Sequence, residues 1–137
     1  MNLPDDGRSL ELVKGVIVEM PPTNFRHGVI CNRVGRILGN YVDERGLGRV
    51  LNNDSGVVTA RGPDTVRGPD VSYFSYARLP REQVPEGYPE VPPDLAVEVR
   101  SPNDRPNPLI AKIRDYLNSG VKVVWLVDYE DRTVSVF

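Results

Sequence analysis

Two carboxylates and one ammonium group are the side chains of this chain that are best suited to chemistry. Asp70 follows Pro69 directly, Glu98 interrupts an apolar stretch, and Lys112 comes later in a segment with helical spacing. Paired carboxylates can hold a divalent cation, and such a cation activates water for attack on a phosphodiester. The three residues therefore predict metal-dependent hydrolysis, provided that the fold brings them together.

Each member of this trio also has a plain structural interpretation. Asp70 could be a turn or strand-start residue, and Glu98 could face solvent or pair with Arg100 two positions along. A carboxylate inside an apolar strand is costly, however, unless a cation receives it. Lysine is scarce here, because 14 of the 17 basic residues are arginine. A compact ammonium is favoured where a charge must reach a single oxygen, so Lys112 is a candidate partner for the two acids.

Composition limits the classes of protein to which the chain could belong. A length of 137 residues predicts a single domain over residues 1–137. The hydrophobic share is 39%, and no apolar run approaches the roughly 20 residues that span a bilayer. The start, Met1 to Gly7, lacks the basic and apolar regions of a signal peptide. We therefore expect a cytoplasmic protein without a membrane partner.

Several other kinds of site are excluded by counting residues. The one cysteine, Cys31, excludes an internal disulfide framework and a cysteine-rich zinc site, and the one histidine, His27, excludes a histidine-rich zinc site. Cys31 and Trp125 are interpreted as core residues. The net charge of −2 means that any contact with nucleic acid needs a local basic face.

The first half of the chain contains the elements that must place Asp70. Residues 9–20 predict a hairpin with a turn at Lys14-Gly15, and residues 25–45 predict a long helix. The segments 48–51, 56–60 and 70–74 have the composition of strands, and we expect them to form an antiparallel meander.

The second half contains the elements that must place Glu98 and Lys112. Residues 80–93 predict a long surface loop, and residues 94–100 predict a strand whose residues 95, 97 and 99 face one way and 96, 98 and 100 the other. A helix is predicted over 108–119, and Lys112 lies on the border of its apolar stripe. The predicted stripe consists of Leu109, Ile110, Ile113, Tyr116 and Leu117.

Two further strands are predicted after this helix. Residues 121–127 predict a strand buried on both faces, and residues 133–137 predict a last strand. The order strand, helix, strand indicates a βαβ unit, so the expected class is α/β with a mixed sheet flanked by helices. The sequence stops at Phe137 inside a strand, which suggests that a further element has been lost or lies outside it.

The residues around the trio resemble a known signature. Pro69-Asp70 and Glu98-Val99-Arg100 resemble the PD-(D/E)XK nuclease signature, and the text from about residue 10 to residue 137 is similar to the Uma family of restriction-endonuclease-like proteins. The matching pieces, in order, are Leu10-Glu11-Leu12 with Gly15, Val18-Glu19-Met20, His27, Thr65-Val66-Arg67, Pro69-Asp70-Val71, the run 93–102, Lys112 with Tyr116, Gly120-Val121 and Trp125-Leu126-Val127-Asp128.

This resemblance implies a restriction-endonuclease-like fold with a Mg²⁺ (or Mn²⁺) site. Asp70 and Glu98 would bind the ion, and the backbone carbonyl of Val99 would be a further ligand. The lysine expected two residues after the glutamate is replaced by Arg100, which stays charged and is a poor proton acceptor. The resemblance implies that Lys112 takes over its role from the helix.

Three accessory residues have two interpretations each. Glu19 is either an extra acid near the metal or a solvated hairpin residue. In the functional interpretation, His27 binds phosphate or relays a proton. In the structural one, it is a helix cap or a packed side chain. Arg100 is either a phosphate contact or ordinary surface charge.

The leading hypothesis is a Mg²⁺-dependent endonuclease that hydrolyses DNA. The alternative is a catalytically weak or inactive nuclease-fold module for nucleic-acid binding or assembly, which the acidic net charge favours. A protein built only for packing or partner contact leaves the trio unexplained. A homodimer is expected, because symmetric dimers are the usual way for small nucleases to cut both strands.

Overall fold

The computed structural model describes residues 6–137, so the start of the chain that was interpreted as lacking a signal peptide lies partly outside the described residues. Nine strands and two helices are found in this part of the chain. In chain order they are β1 Leu10–Val13, β2 Val16–Glu19, α1 Phe25–Arg45, β3 Gly48–Asn52, β4 Val57–Ala60, β5 Thr65–Arg67, β6 Val71–Ser75, β7 Leu95–Arg100, α2 Pro106–Asn118, β8 Val123–Asp128 and β9 Thr133–Val136.

The predicted hairpin and first helix are confirmed, and local chemistry explains both. Lys14 and Gly15 have φ of 50° and 78°, as a tight two-residue hairpin turn between β1 and β2 requires. The Asn24 side chain caps α1 by accepting a hydrogen bond from the His27 amide. Gly46 ends the helix in the left-handed conformation, with φ of 59°.

The strands form two sheets, and the predicted meander is wrong. One sheet has the order β2-β1-β5-β4, and the other has the order β3-β6-β7-β8-β9. Strand β3 pairs with β6, while β4 turns back to pair with β5, a short strand that the sequence interpretation missed. Because β5 also pairs with β1, the hairpin is drawn into the smaller sheet. The expected α/β class with a mixed sheet holds, since β7 and β8 are parallel and the other pairs are antiparallel.

Strand β7 is central, and its alternation is as predicted. Leu95 and Val97 pack with Val71 on the side of α1, whereas Ala96 packs with Ile113 and residues of α2 on the other side. Helix α1 contacts β3, β6 and β7, and α2 contacts β8 and β4. Side chains of β7 therefore face both helices, and Glu98 faces α2.

Several details of the second half differ from prediction. Helix α2 begins at Pro106, because proline is favoured in the first turn, and it ends at Asn118. Ile110 and Leu117 are exposed, so the buried stripe is narrower than expected. Strand β8 is only partly buried, and the strand beside it, β9, is an edge strand whose residues are all exposed. Trp125 and Cys31 are half-buried and do not lie in the deepest core.

The loop predicted over residues 80–93 has no helix or strand, as expected. Neither helix of the described residues is long and apolar enough to cross a membrane.

Candidate active site

Asp70 is held at the start of β6 by the neighbouring strand. The Val99 amide donates a hydrogen bond of 2.7 Å to Asp70 Oδ2, and the preceding Pro69 is fully buried. No hydrogen bond within residues 6–137 reaches Oδ1. Because no fully buried side-chain polar atom of those residues lacks a partner, Oδ1 is accessible to solvent. Asp70 thus presents one free oxygen beside β7.

Glu98 is buried on β7, with only 6% of its surface exposed. Tyr116 donates a hydrogen bond of 2.7 Å to Oε1, and Lys112 Nζ lies 3.1 Å from the same atom. No hydrogen bond from the described residues reaches Oε2, which by the same reasoning contacts solvent. Burial raises the pKa of Glu98 to about 7, with Lys112 opposing the shift and the charge of Asp70 adding to it.

Lys112 reaches from α2 into the site, as the sequence predicts. Its Nζ atom lies 2.7 Å from Glu11 Oε1 and 3.1 Å from Glu98 Oε1, and it donates to the Gly68 carbonyl at 3.2 Å. Burial alone would lower the pKa of Lys112, but the charges of Glu98 and Glu11 outweigh it and raise that pKa above its usual value. Lys112 therefore keeps its proton and acts as a fixed positive charge.

Glu11 is a site residue that the sequence interpretation did not single out. It lies on β1 with 4% of its surface exposed, and its Oε1 accepts from the Gly68 amide at 3.0 Å. Arg67 donates to its Oε2 at 3.1 Å and also pairs with Asp115 at 2.6 Å. Burial tends to raise the pKa of Glu11, but the contacts with Lys112, the Gly68 amide and Arg67 together outweigh burial and lower it. The signal was present, because Glu11 interrupts an apolar strand just as Glu98 does.

His27 lies against Asp70 and does not cap α1, because the cap is Asn24. The Nε2 atom of His27 donates to the Val99 carbonyl at 2.9 Å and lies 3.5 Å from Asp70 Oδ2. The contact with the Asp70 carboxylate, followed by that with Cys31, raises the pKa of His27 to about 11 against the effect of burial. The structure thus favours a packed, charged histidine that holds Asp70 and Val99 in place.

The backbone of Val99 links these groups. The Val99 amide donates a hydrogen bond to Asp70. The Val99 carbonyl, which is the predicted third metal ligand, accepts a hydrogen bond from His27. A carbonyl oxygen has a second lone pair, so this contact leaves one acceptor position.

Glu19 and Arg100 lie outside this cluster. Glu19 is exposed on the edge strand β2, and Arg8 approaches it at 3.6 Å, which matches its interpretation as a solvated hairpin residue. Arg100 pairs with Asp128 at 2.9 Å, so the alternative that it neutralises Glu98 is wrong. The Arg100 side chain is 40% exposed and remains open to a ligand from solvent.

Asp54 is a second acid that the sequence interpretation missed. Asn53 and Asp54 have φ of 63° and 53°, a conformation that both residue types tolerate. A Cβ on Gly68 would lie 2.8 Å from the Asp54 carbonyl oxygen, so the glycine permits this close approach. Although the residue is exposed as a whole, partial burial of its carboxyl and then the charge of Asp70 raise the pKa of Asp54.

Comparison with known proteins places these features in a family and a fold. A family model described as "Uma2: Putative restriction endonuclease" matches residues 1–137. A crystal structure described as a putative nuclease belonging to DUF820 from Anabaena variabilis is similar, with a TM-score of 0.85 and 24% sequence identity. The match covers 98% of this chain and 74% of the other chain. At this identity the similarity shows a shared fold. No curated protein sequence matches the chain.

Proposed function

The chain belongs to the Uma2 family, described as putative restriction endonucleases, and from this premise we propose that it is a Mg²⁺-dependent endonuclease that hydrolyses DNA phosphodiester bonds. One observation carries the proposal. Asp70 Oδ1 and Glu98 Oε2 are free of protein partners within residues 6–137, while the ammonium of Lys112 is fixed beside Glu98. Such an arrangement combines ligands for a cation with a positive charge for phosphate.

The donor set fits a hard cation. Mg²⁺ takes oxygen ligands, commonly one or two carboxylates, and keeps several waters. Asp70 and Glu98 would hold the ion, with the Val99 carbonyl available as a further oxygen donor. Mn²⁺ suits the same ligands. When bound, the metal supplies positive charge that offsets charge developing on the phosphate and favours loss of a proton from the attacking water.

The other side chains would bind and orient the substrate. Lys112 keeps its proton, so it would donate to a phosphate oxygen and would not accept a proton from water. Arg100, partly exposed at the end of β7, would contact a neighbouring phosphate. His27 would keep Asp70 and the Val99 carbonyl oriented toward the ion. Glu11 would hold the Lys112 ammonium in place through the 2.7 Å contact with Nζ.

A binding or assembly module with the same fold is the competing function. The net charge of −2 favours it, because the chain as a whole does not attract nucleic acid. A role in packing alone is disfavoured, because burying the acids and Lys112 costs free energy of desolvation and such a role would not explain why these charges are buried.

Cleavage of supercoiled plasmid during titration with Mg²⁺ tests the proposal. We expect metal-dependent nicking or linearisation by the wild type and loss of both cleavage and Mg²⁺ affinity in Asp70→Asn. Asp64→Asn is the matched control, because Asp64, like Asp70, directly follows a Gly-Pro pair but lies in a turn, where it pairs with Arg61. Absence of metal-dependent cleavage, with equal Mg²⁺ affinity in wild type and Asp70→Asn, would support the binding module instead.

The proposal includes a cytoplasmic homodimer. Two copies of the site would cut the two strands of a duplex, and the edge strand β9 offers unpaired backbone groups for association. Light scattering at several protein concentrations measures the oligomeric state, and a monomer throughout would remove this part of the proposal.

A further inference from the structure

A second set of metal-binding atoms lies on the side of Asp70 that faces α1. His27 and Cys31 are four residues apart on this helix and therefore share one of its faces. Cys31 Sγ lies 3.4 Å from His27 Nδ1 and 3.9 Å from Nε2, and Asp70 Oδ2 lies 3.5 Å from Nε2. One ligand atom from each residue can be chosen so that all lie within 4.8 Å of one another, the only such cluster of three or more in residues 6–137.

We propose that His27, Cys31 and Asp70 form a binding site for a thiophilic divalent cation such as Zn²⁺. A sulfur, an imidazole nitrogen and a carboxylate oxygen are the donors that zinc takes, at about 2.0–2.3 Å each. Tetrahedral ligands at these lengths lie about 3.3–3.8 Å apart, close to the separations between the side chains here. Mg²⁺ is bound through oxygen, so Cys31 favours a softer ion.

Charge and access also fit such an ion. The thiolate of Cys31 and the carboxylate of Asp70 would balance two positive charges, which lowers the cost of placing the ion in a mostly buried site. Cys31 is only partly buried, which leaves a route from solvent. Binding releases the proton of the Cys31 thiol to solvent, and Nε2 gives up its hydrogen bond to Val99, because a coordinating nitrogen carries no proton.

Sharing of Asp70 couples this site to the proposed catalytic one. An ion held by Oδ2 of Asp70 competes with an ion held by Oδ1 for the charge and orientation of the same carboxylate. Occupancy of one site weakens the other by the same factor, as linkage requires. This coupling rests on the proposed function, whereas zinc binding itself does not.

Cobalt substitution tests the site without any nuclease assay. Co²⁺ coordinated by thiolate gives a charge-transfer band in the near ultraviolet, and Cys31 is the only possible source of that band. We expect the band in the wild type, its displacement by Zn²⁺, and its loss in Cys31→Ser. Loss of a residue that only hydrogen-bonds to a metal ligand lowers metal affinity by about 10–100-fold. Because Cys31 would be a ligand itself, Cys31→Ser should lower Zn²⁺ affinity by at least this factor.

Thiol reactivity provides a second readout on the unmodified chain. Zn²⁺, but not Mg²⁺, should slow the reaction of Cys31 with a disulfide reagent, and Asp64→Asn should behave as the wild type does. Absence of the cobalt band together with no slowing by Zn²⁺ would overturn the inference, whatever the plasmid assay shows.

The plasmid assay separates this inference from the proposed function. Cys31→Ser should keep Mg²⁺-dependent cleavage and lose inhibition by Zn²⁺. Equal inhibition of both proteins would overturn the coupling. A cobalt band without any plasmid cleavage would support the zinc site and contradict the nuclease.

Discussion

The Nζ atom of Lys112 lies 2.7 Å from Oε1 of Glu11, nearer than the 3.1 Å that separates it from Oε1 of Glu98. One lysine on α2 therefore pairs with two buried acids, one in each sheet. The same contacts that hold the ammonium beside Glu98 also join the smaller sheet to the larger one. Lys112 is thus a structural residue as well as a candidate active-site residue.

Removal of the Lys112 charge should destabilise the protein. Lys112→Met leaves Glu11 and Glu98 buried with an ion-pair partner removed, and breaking a buried pair in this way costs about 3–5 kcal/mol. Urea denaturation measures the free energy of unfolding. Lys122→Met is the control, because Lys122 is exposed where it pairs with Asp94 and surface pairs contribute at most about 1 kcal/mol. Equal losses in the two variants would contradict the assigned role of Lys112.

The Tyr116 hydroxyl should favour the ionised form of Glu98. Tyr116→Phe removes the 2.7 Å hydrogen bond to Oε1, so the pKa of Glu98 should rise further above its usual value. Carboxyl NMR titration follows this pKa directly. Tyr41→Phe, an exposed tyrosine on α1, should leave it unchanged. An unchanged or lower pKa in Tyr116→Phe would show that this contact does not stabilise the carboxylate.

Mg²⁺ affinity should depend on pH through Glu98. Because burial raises the pKa of this carboxyl to about 7, a proton competes with the metal below that pH and is absent above it. Affinity should therefore fall by about tenfold per pH unit below about pH 7 and level off above it. Isothermal titration at several pH values gives the profile, and Glu98→Gln should bind more weakly without this dependence. A flat wild-type profile between about pH 5 and pH 7 would contradict a Glu98 ligand.

Local patterns in the sequence predicted much of the site. Glu98 interrupts an apolar strand, Asp70 follows a proline at a strand start, and Lys112 borders the buried stripe of α2; these features depend on neighbours a few residues away. The hairpin turn at Lys14-Gly15 and the cap at Asn24 are local in the same sense.

The burial of Glu11 and the exposure of Glu19 have a different cause. Both lie in the hairpin, but β1 is covered on its second side by β5 through the pairing of Leu12 with Val66, whereas β2 is an edge. Which hairpin strand becomes the interior one depends on this distant pairing, and no local pattern specifies it. The division into two sheets was missed for the same reason. Asp54 lies near the site because Gly68, which has no side chain, allows the backbone of Asp54 to come close.

Anomalous diffraction from a crystal soaked in Mn²⁺ tests most directly whether Asp70 and Glu98 hold one ion. We predict a single strong peak within coordination distance of Asp70 Oδ1 and Glu98 Oε2, lost in Asp70→Asn. A Mn²⁺ peak bound elsewhere, with both carboxylates free of metal at saturating ion, would contradict the account.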